Sequence, residues 1–303
     1  MNNVNESAKK TYSGFVALIG APNAGKSTLL NHLVGTKVSI VTHKVQTTRT
    51  IIRGIVSTDT QQIVFLDTPG LFKPKGALDK MMVNQAWGGA KEADIITLLI
   101  DVKSGLNEAN KAILESIKNF KQPKILILNK IDLVRHEELL KITKEISDNY
   151  SFEHIFMVVA SKGLHCQDYL NTLYAMLSEG PFYYDPEHAS TIALRELAAE
   201  ITREKIYLRV HKELPYSAAV QTEKYEELKD GSIRIDQVIY VERDGQKKII
   251  LGKQGSIIKA IGQAARQELS VLLEKKVHLF LYVKVQENWK QRPEEYCSFT
   301  HNN

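Results

Sequence analysis

Gly20, Gly25, Lys26 and Ser27 stand in the spacing Gly-x4-Gly-Lys-Ser, directly after the apolar run Phe15 to Ile19. Glycines at those two places let a backbone wrap closely round a chain of phosphates, so that successive N–H groups point at the anion. Ala21, Pro22, Asn23 and Ala24 complete the loop between them. Lys26 has the reach and charge to meet β- and γ-phosphates, and the Ser27 hydroxyl is an oxygen donor suited to Mg²⁺. The residues that follow, Lys26 to Val34, read as the helix into which such a loop opens.

Two later motifs specify which nucleotide. Asn129, Lys130, Ile131 and Asp132 follow the apolar run Ile125 to Leu128. An ionised Asp132 accepts two hydrogen bonds from the N1–H and exocyclic amine of guanine, a donor pair that adenine lacks. A base that leaves those acceptors unpaired is penalised. Asn129 is expected to tie this loop back to the phosphate loop, and Lys130 to cover the base with its stem. Asp67, Thr68, Pro69, Gly70 and Leu71 close the run Ile63 to Leu66. There a carboxylate holds Mg²⁺ through water, and the glycine N–H senses a γ-phosphate. The three motifs together specify GTP as substrate and Mg²⁺ as cofactor.

Their order along the chain resembles that of translation-factor-class GTPases. On that resemblance a first switch lies between Thr36 and Thr50, where Gln46-Thr47-Thr48-Arg49 offers two hydroxyls for Mg²⁺. Thr48 is favoured, with Thr47 the alternative. Ras-like enzymes carry a water-orienting Gln just after the glycine of the second switch, whereas this chain has Leu71, so slow intrinsic hydrolysis is expected. GTPases with an apolar residue there imply another device, in which Asn23 helps to bind a K⁺ ion in place of an arginine finger. The catalytic set is then Lys26, Thr48, Gly70 and Asn23. In Val159-Ala160-Ser161-Lys162, Ala160 aligns with the alanine whose backbone N–H meets the base, and Val159 stands where Ser is usual.

The elements that must position these residues alternate. Strand-like runs at Phe15–Ile19, Ile51–Ser57, Ile63–Leu66, Ile95–Ile100, Ile125–Leu128 and Ile155–Val159 are interleaved with helix-like stretches at Lys26–Val34, Leu78–Ala93, Asn107–Phe120, Glu137–Ser147 and Cys166–Leu177. That order predicts an α/β unit with a mainly parallel sheet and its ligand beyond the carboxyl ends of the strands. Only five residues separate Ile51–Ser57 from Gln-free Ile63–Leu66, so a hairpin with one antiparallel edge strand is expected. The stretch from Ser178 to His188 contains two prolines and reads as a linker.

A second order of elements follows: a long helix Ile192–Val210, strands at Ser217–Glu223, Ile233–Glu242 and Lys247–Leu251, a turn at 243–245, a helix to about Glu274 and a strand Val277–Val285. Gly252, Lys253, Gln254 and Gly255 lie just before that last helix, and they look like the signature loop of a KH domain. Two glycines there let the backbone approach the phosphates of a single strand, while Lys253 adds charge. The expected divisions are a GTPase domain over 12–178, a linker over 179–191, a smaller α+β KH-type RNA-binding domain over 192–290, and a polar tail over 291–303.

Taken together, the motifs, the linker and the KH-like loop resemble the Era family of bacterial GTPases over nearly the full length. The tracts Glu242-Arg-Asp-Gly-Gln-Lys-Lys and Val277 to Val285 are especially similar. The resemblance implies a P-loop GTPase that binds the single-stranded 3′ end of 16S ribosomal RNA and assists maturation of the small ribosomal subunit, with GTP state governing that grip. It also implies peripheral contact with the inner membrane. The alternatives are a membrane-associated regulatory GTPase, whose C-terminal domain binds protein, and a tRNA-modification GTPase; against the latter, the chain lacks the C-terminal cysteine signature of that relative.

Composition agrees with an intracellular nucleotide-dependent protein. At 303 residues and 43% apolar, the chain can bury two ordinary cores. Met1 to Thr11 is polar, without a secretory pattern, and no apolar run is long enough to span a bilayer. The two cysteines, Cys166 and Cys297, lack metal-ligand spacing and are expected to be free thiols. Net charge is +5, with the positive excess concentrated between Arg234 and Arg292, a pattern that fits a polyanion partner but on charge alone fits a solvated basic face better. A cytoplasmic monomer is expected.

Overall fold

A computed structural model describes residues 9–44, 46–210 and 214–297. The chain divides into two compact units, one comprising residues up to Val38, Ile52–Thr68 and Gly88–Thr191, the other Ser39–Ile51, Pro69–Trp87 and the residues from Ile192 onward. In chain order the elements up to Glu179 are β1 (Tyr12–Gly20), α1 (Lys26–Val34), β2 (Ile52–Ser57), β3 (Gln61–Asp67), α2 (Ala77–Glu92), β4 (Ile95–Asp101), α3 (Glu108–Ile117), β5 (Lys124–Asn129), α4 (His136–Asn149), β6 (His154–Val158), α5 (Cys166–Met176) and β7 (Ser178–Glu179).

The first unit is built on a sheet of order β2-β3-β1-β4-β5-β6, with β7 paired to β1. β1 runs parallel to β3 and β4, and β4, β5 and β6 continue in the same sense. Ile95 to Ile100 in β4 and Ile125 to Leu128 in β5 are buried, as strands covered on both faces require. β2 is antiparallel to β3, and Thr58 N–H donates to Gln61 O at 2.8 Å across the expected hairpin. The proline-containing stretch after α5 is fastened to this sheet. Ile55 N–H donates to Ala189 O at 2.9 Å, the Ser190 hydroxyl to Arg53 O at 2.6 Å, and the Gln62 amide to Tyr184 O at 2.8 Å.

The second unit continues with α6 (Leu194–Arg209), β8 (Ala218–Glu227), β9 (Ile233–Val241), α7 (Asp244–Leu251), α8 (Ser256–Leu272), β10 (Val277–Val285) and α9 (Pro293–Cys297). Its sheet has the order β10-β9-β8, with β9 parallel to β10 and antiparallel to β8. Strand alternation gives each face its own core. Ile239 and Val241 pack with Ile206, Ile250 and Ile261 on the helical side, while Val238 and Tyr240 pack with Leu78, Met82 and Trp289 on the other.

One sequence expectation needs correction here. Lys247–Leu251 is not a strand but the C-terminal part of α7, and the expected turn at 243–245 is the start of that helix. The Gln246 side chain accepts hydrogen bonds from the N–H groups of Glu242 and Arg243, which caps the helix and outweighs the β-like run Ile249-Ile250-Leu251. Within the expected polar tail, α9 begins at buried Pro293. Residues 298–303 of that tail lie outside the described residues. Both cysteines are free thiols. Among the described residues, no helix is long and apolar enough to cross a membrane.

Candidate nucleotide site and nucleic-acid loop

The phosphate loop turns where only glycine fits. Gly20 has φ of +151° and Gly25 of +103°; a Cβ on Gly20 would meet Leu99 O at 2.4 Å, and one on Gly25 would meet the Asn129 amide nitrogen at 2.1 Å. α1 starts directly after Gly25 with no side-chain cap, so helix geometry directs its first amides toward the loop's hollow. Lys26 is 5% exposed, and its ammonium donates to Gly20 O at 3.2 Å and Ala21 O at 3.1 Å. Burial lowers its pKa to about 8, partly opposed by the charge of Asp67. The lysine is thus folded over the loop it is expected to serve, held by weak acceptors that phosphate oxygens can replace.

Asp67 is fully buried at the end of β3, where it accepts from the Ser27 hydroxyl at 2.6 Å. Two hard oxygen donors face each other there, a pair that fits Mg²⁺ once water and substrate phosphates complete an octahedron. Thr68 is also fully buried, and its hydroxyl donates to Leu18 O at 2.7 Å, fixing the end of β3 against β1. Pro69, Gly70 and Leu71 are the first residues of a segment that belongs to the second unit, as Thr47 and Thr48 do. Leu71 is 2% exposed, and an apolar side chain cannot orient water.

The base loop matches the expectation for Asn129. Its amide nitrogen donates to Ala24 O at 2.8 Å, and its Oδ1 accepts from Lys130 N–H at 2.8 Å. Lys130 has φ of +63°, and its ammonium donates to Asn23 O at 2.8 Å and Asp101 Oδ2 at 2.6 Å, which carries its stem from the base loop to the phosphate loop. Ile131 and Asp132 begin the short turn after it. Asp132 receives the Lys162 ammonium at 2.8 Å, and that hydrogen bond holds its carboxyl below the ordinary range. It is therefore ionised and able to accept.

Ala160 N–H donates to Asn129 Oδ1 at 3.0 Å, which ties this turn to the base loop. The next amide in that turn is Ser161's, which opens the short helical turn Ala160–Lys162 and so has no intrahelical acceptor. Lys162 and Asp101 were missing from the sequence-based set. Lys162 is adjacent to the aligned motif, while nothing in the sequence marks Asp101 beyond its place at the end of β4.

In the second unit, Gly252 to Gly255 join α7 to α8 rather than a strand to a helix. Gly252 has φ of +71°, and a Cβ there would meet Ile257 at 2.6 Å. Gln254 also takes a positive φ, of 51°. Lys253 and Gln254 are exposed at the tip, flanked by backbone that can approach a phosphate closely.

A phosphate loop with a guanine-type base loop, joined to a helix-loop-helix of KH type, defines a GTPase carrying a KH domain. Family models agree: residues 15–130 match a model described as 50S ribosome-binding GTPase, and residues 213–290 match the KH domain. The GTPase Era of Mesorhizobium japonicum is 61% identical over 94% of this chain and 92% of its own. That of Rhizobium meliloti is 60% identical over 95% and 92%. A crystal structure of Era in complex with MgGDPNP and nucleotides 1506–1542 of 16S ribosomal RNA superposes with a TM-score of 0.89, at 37% identity, covering 94% of this chain and 97% of that one. A variant of Aquifex aeolicus Era bound to GDP·AlF₄⁻ gives the same values. The chain belongs to the Era family of GTPases.

Proposed function

We propose that this GTPase is a Mg²⁺- and GTP-dependent switch that binds the single-stranded 3′ end of 16S ribosomal RNA through Gly252, Lys253, Gln254 and Gly255 and assists maturation of the small ribosomal subunit. The observation that carries the nucleotide half is the Asn129–Ala24 hydrogen bond, which locks the base loop onto the phosphate loop and so measures the distance between base and phosphates. Gly20 to Ser27 hold the phosphates, Ser27 and Asp67 hold Mg²⁺, Asn129 to Asp132 read guanine, and the backbone of the turn at Ala160 meets the base. Thr48 serves as the switch hydroxyl by analogy with related GTPases, with Thr47 the alternative. Asn23 supports a K⁺ ion that compensates for Leu71. The protein works as a cytoplasmic monomer, and any contact with the inner membrane is peripheral.

The RNA half rests on the GKQG loop together with the complex known for a relative of the same family. It is tested by measuring the affinity of a short RNA matching that 3′ end, with GDP and with a non-hydrolysable GTP analogue, at fixed salt. Tighter binding with the analogue is expected. Identical affinities would refute the switch and leave the GTPase standing.

A further inference from the structure

The segment that carries Thr48 is held along its length by the second unit. Val41 N–H donates to Glu204 at 2.9 Å, the Lys44 ammonium caps the end of α6 at Tyr207 O and Val210 O, Gln46 O accepts from the Tyr207 hydroxyl at 3.1 Å, and Thr47 O accepts from Arg203. The strongest fastening is Arg49. The residue is 4% exposed, and its guanidinium donates to Ala218 O at 2.8 Å, to Pro215 O and Tyr216 O at 3.4 Å each, and to the Tyr207 hydroxyl at 3.3 Å. It also lies 5.5 Å from the centre of the Trp289 ring. Those carbonyls lead directly into β8, one strand from β9.

A fork of this kind has discrete partners, and lysine cannot reproduce it. A cavity of about 330 Å³ borders Arg49 and Arg203, which gives the guanidinium space beside its cage of carbonyls. Thr48 is its immediate neighbour in the chain, so any displacement of Thr48 either carries the Arg49 cage with it or breaks it. We infer that Arg49 is the positioning residue that links the γ-phosphate-sensing threonine to the RNA-binding unit, so that GTP and RNA bias one shared element through a single guanidinium. This rests on the switch reading above and specifies where its two halves join.

The test uses the full chain and the same RNA. The ratio of RNA affinities with the GTP analogue and with GDP is measured for wild type, Arg49→Lys and Tyr207→Phe, alongside GDP affinity and thermal unfolding. Couplings of this type commonly span ~5–150-fold. In Arg49→Lys the ratio collapses toward one while GDP affinity stays within about twofold, and Tyr207→Phe, which keeps the buried ring and removes only the hydroxyl, lowers it partway. A purely structural role would lower the melting temperature and leave the ratio unchanged in both variants, and that result overturns the inference. If Arg49→Lys fails to fold, Tyr207→Phe decides. A wild-type ratio of one overturns the switch reading, and this inference with it.

Discussion

Lys26 illustrates how one buried group ties recognition to pH. Its ammonium is held at about 8 by burial in the protein without nucleotide. Phosphate oxygens beside it favour the charged form, so its pKa rises on binding, and nucleotide binding must take up protons wherever the free lysine is partly neutral. Calorimetry of GDP binding in buffers of different ionisation enthalpy should therefore show uptake of roughly three-quarters of a proton at about pH 8.5 and almost none at about pH 6.5. No uptake at either pH would mean that Lys26 is charged in the free protein. Asn23 poses a second question at this scale. With Leu71 where Ras-like enzymes orient water, turnover should be faster in K⁺ than in Na⁺, and Asn23→Ala should remove the difference; equal rates in the wild-type protein would eliminate the potassium device.

At the scale of elements, α7, the GKQG loop and α8 separate charge from architecture. Gly252 is fixed by its close approach to Ile257, whereas Lys253 and Gln254 are exposed and dispensable for packing. Replacing both with Asp should weaken RNA binding by about tenfold or more through repulsion of phosphates. GTP turnover without RNA should be retained. Unchanged RNA affinity would move the contact to another surface. The same region marks where sequence reading stopped short. The phosphate and base loops were legible because each is a contiguous run whose spacing is set by the ligand. Lys247–Leu251 was not, because three successive apolar residues fit a buried strand as well as a helix face, and only the Gln246 cap and the burial of Ile250 decide between them. Nor does local spacing reveal that Asn129 Oδ1 engages the Ala160 amide, 31 residues away in the chain.

At the scale of the molecule, linkage makes a demand that no single site reveals. If GTP tightens the grip on RNA, RNA must tighten the affinity for the GTP analogue by the same factor. Measuring both arms with one protein preparation closes the cycle, and unequal factors would show that the two ligands do not act through one equilibrium. What remained hidden in the sequence here was long-range: nothing local to Arg49 or to Trp289 marks what either side chain touches. Their partners lie some 160 or more residues away in one case and 70 or more in the other, beyond the reach of any local pattern.

The division of the chain follows the two units rather than the order of residues, because Ser39–Ile51 and Pro69–Trp87 belong with the C-terminal part. A chain cut at Thr191 would not release a free-standing RNA module. It would leave Val238, Tyr240 and Trp289 without Leu78 and Met82 to cover them, and the Pro215, Tyr216 and Ala218 carbonyls without Arg49. Genetics should blur in the same way: lesions that map between the GTPase motifs, at Leu78 or Met82, are expected to damage the packing of the second unit rather than the nucleotide site.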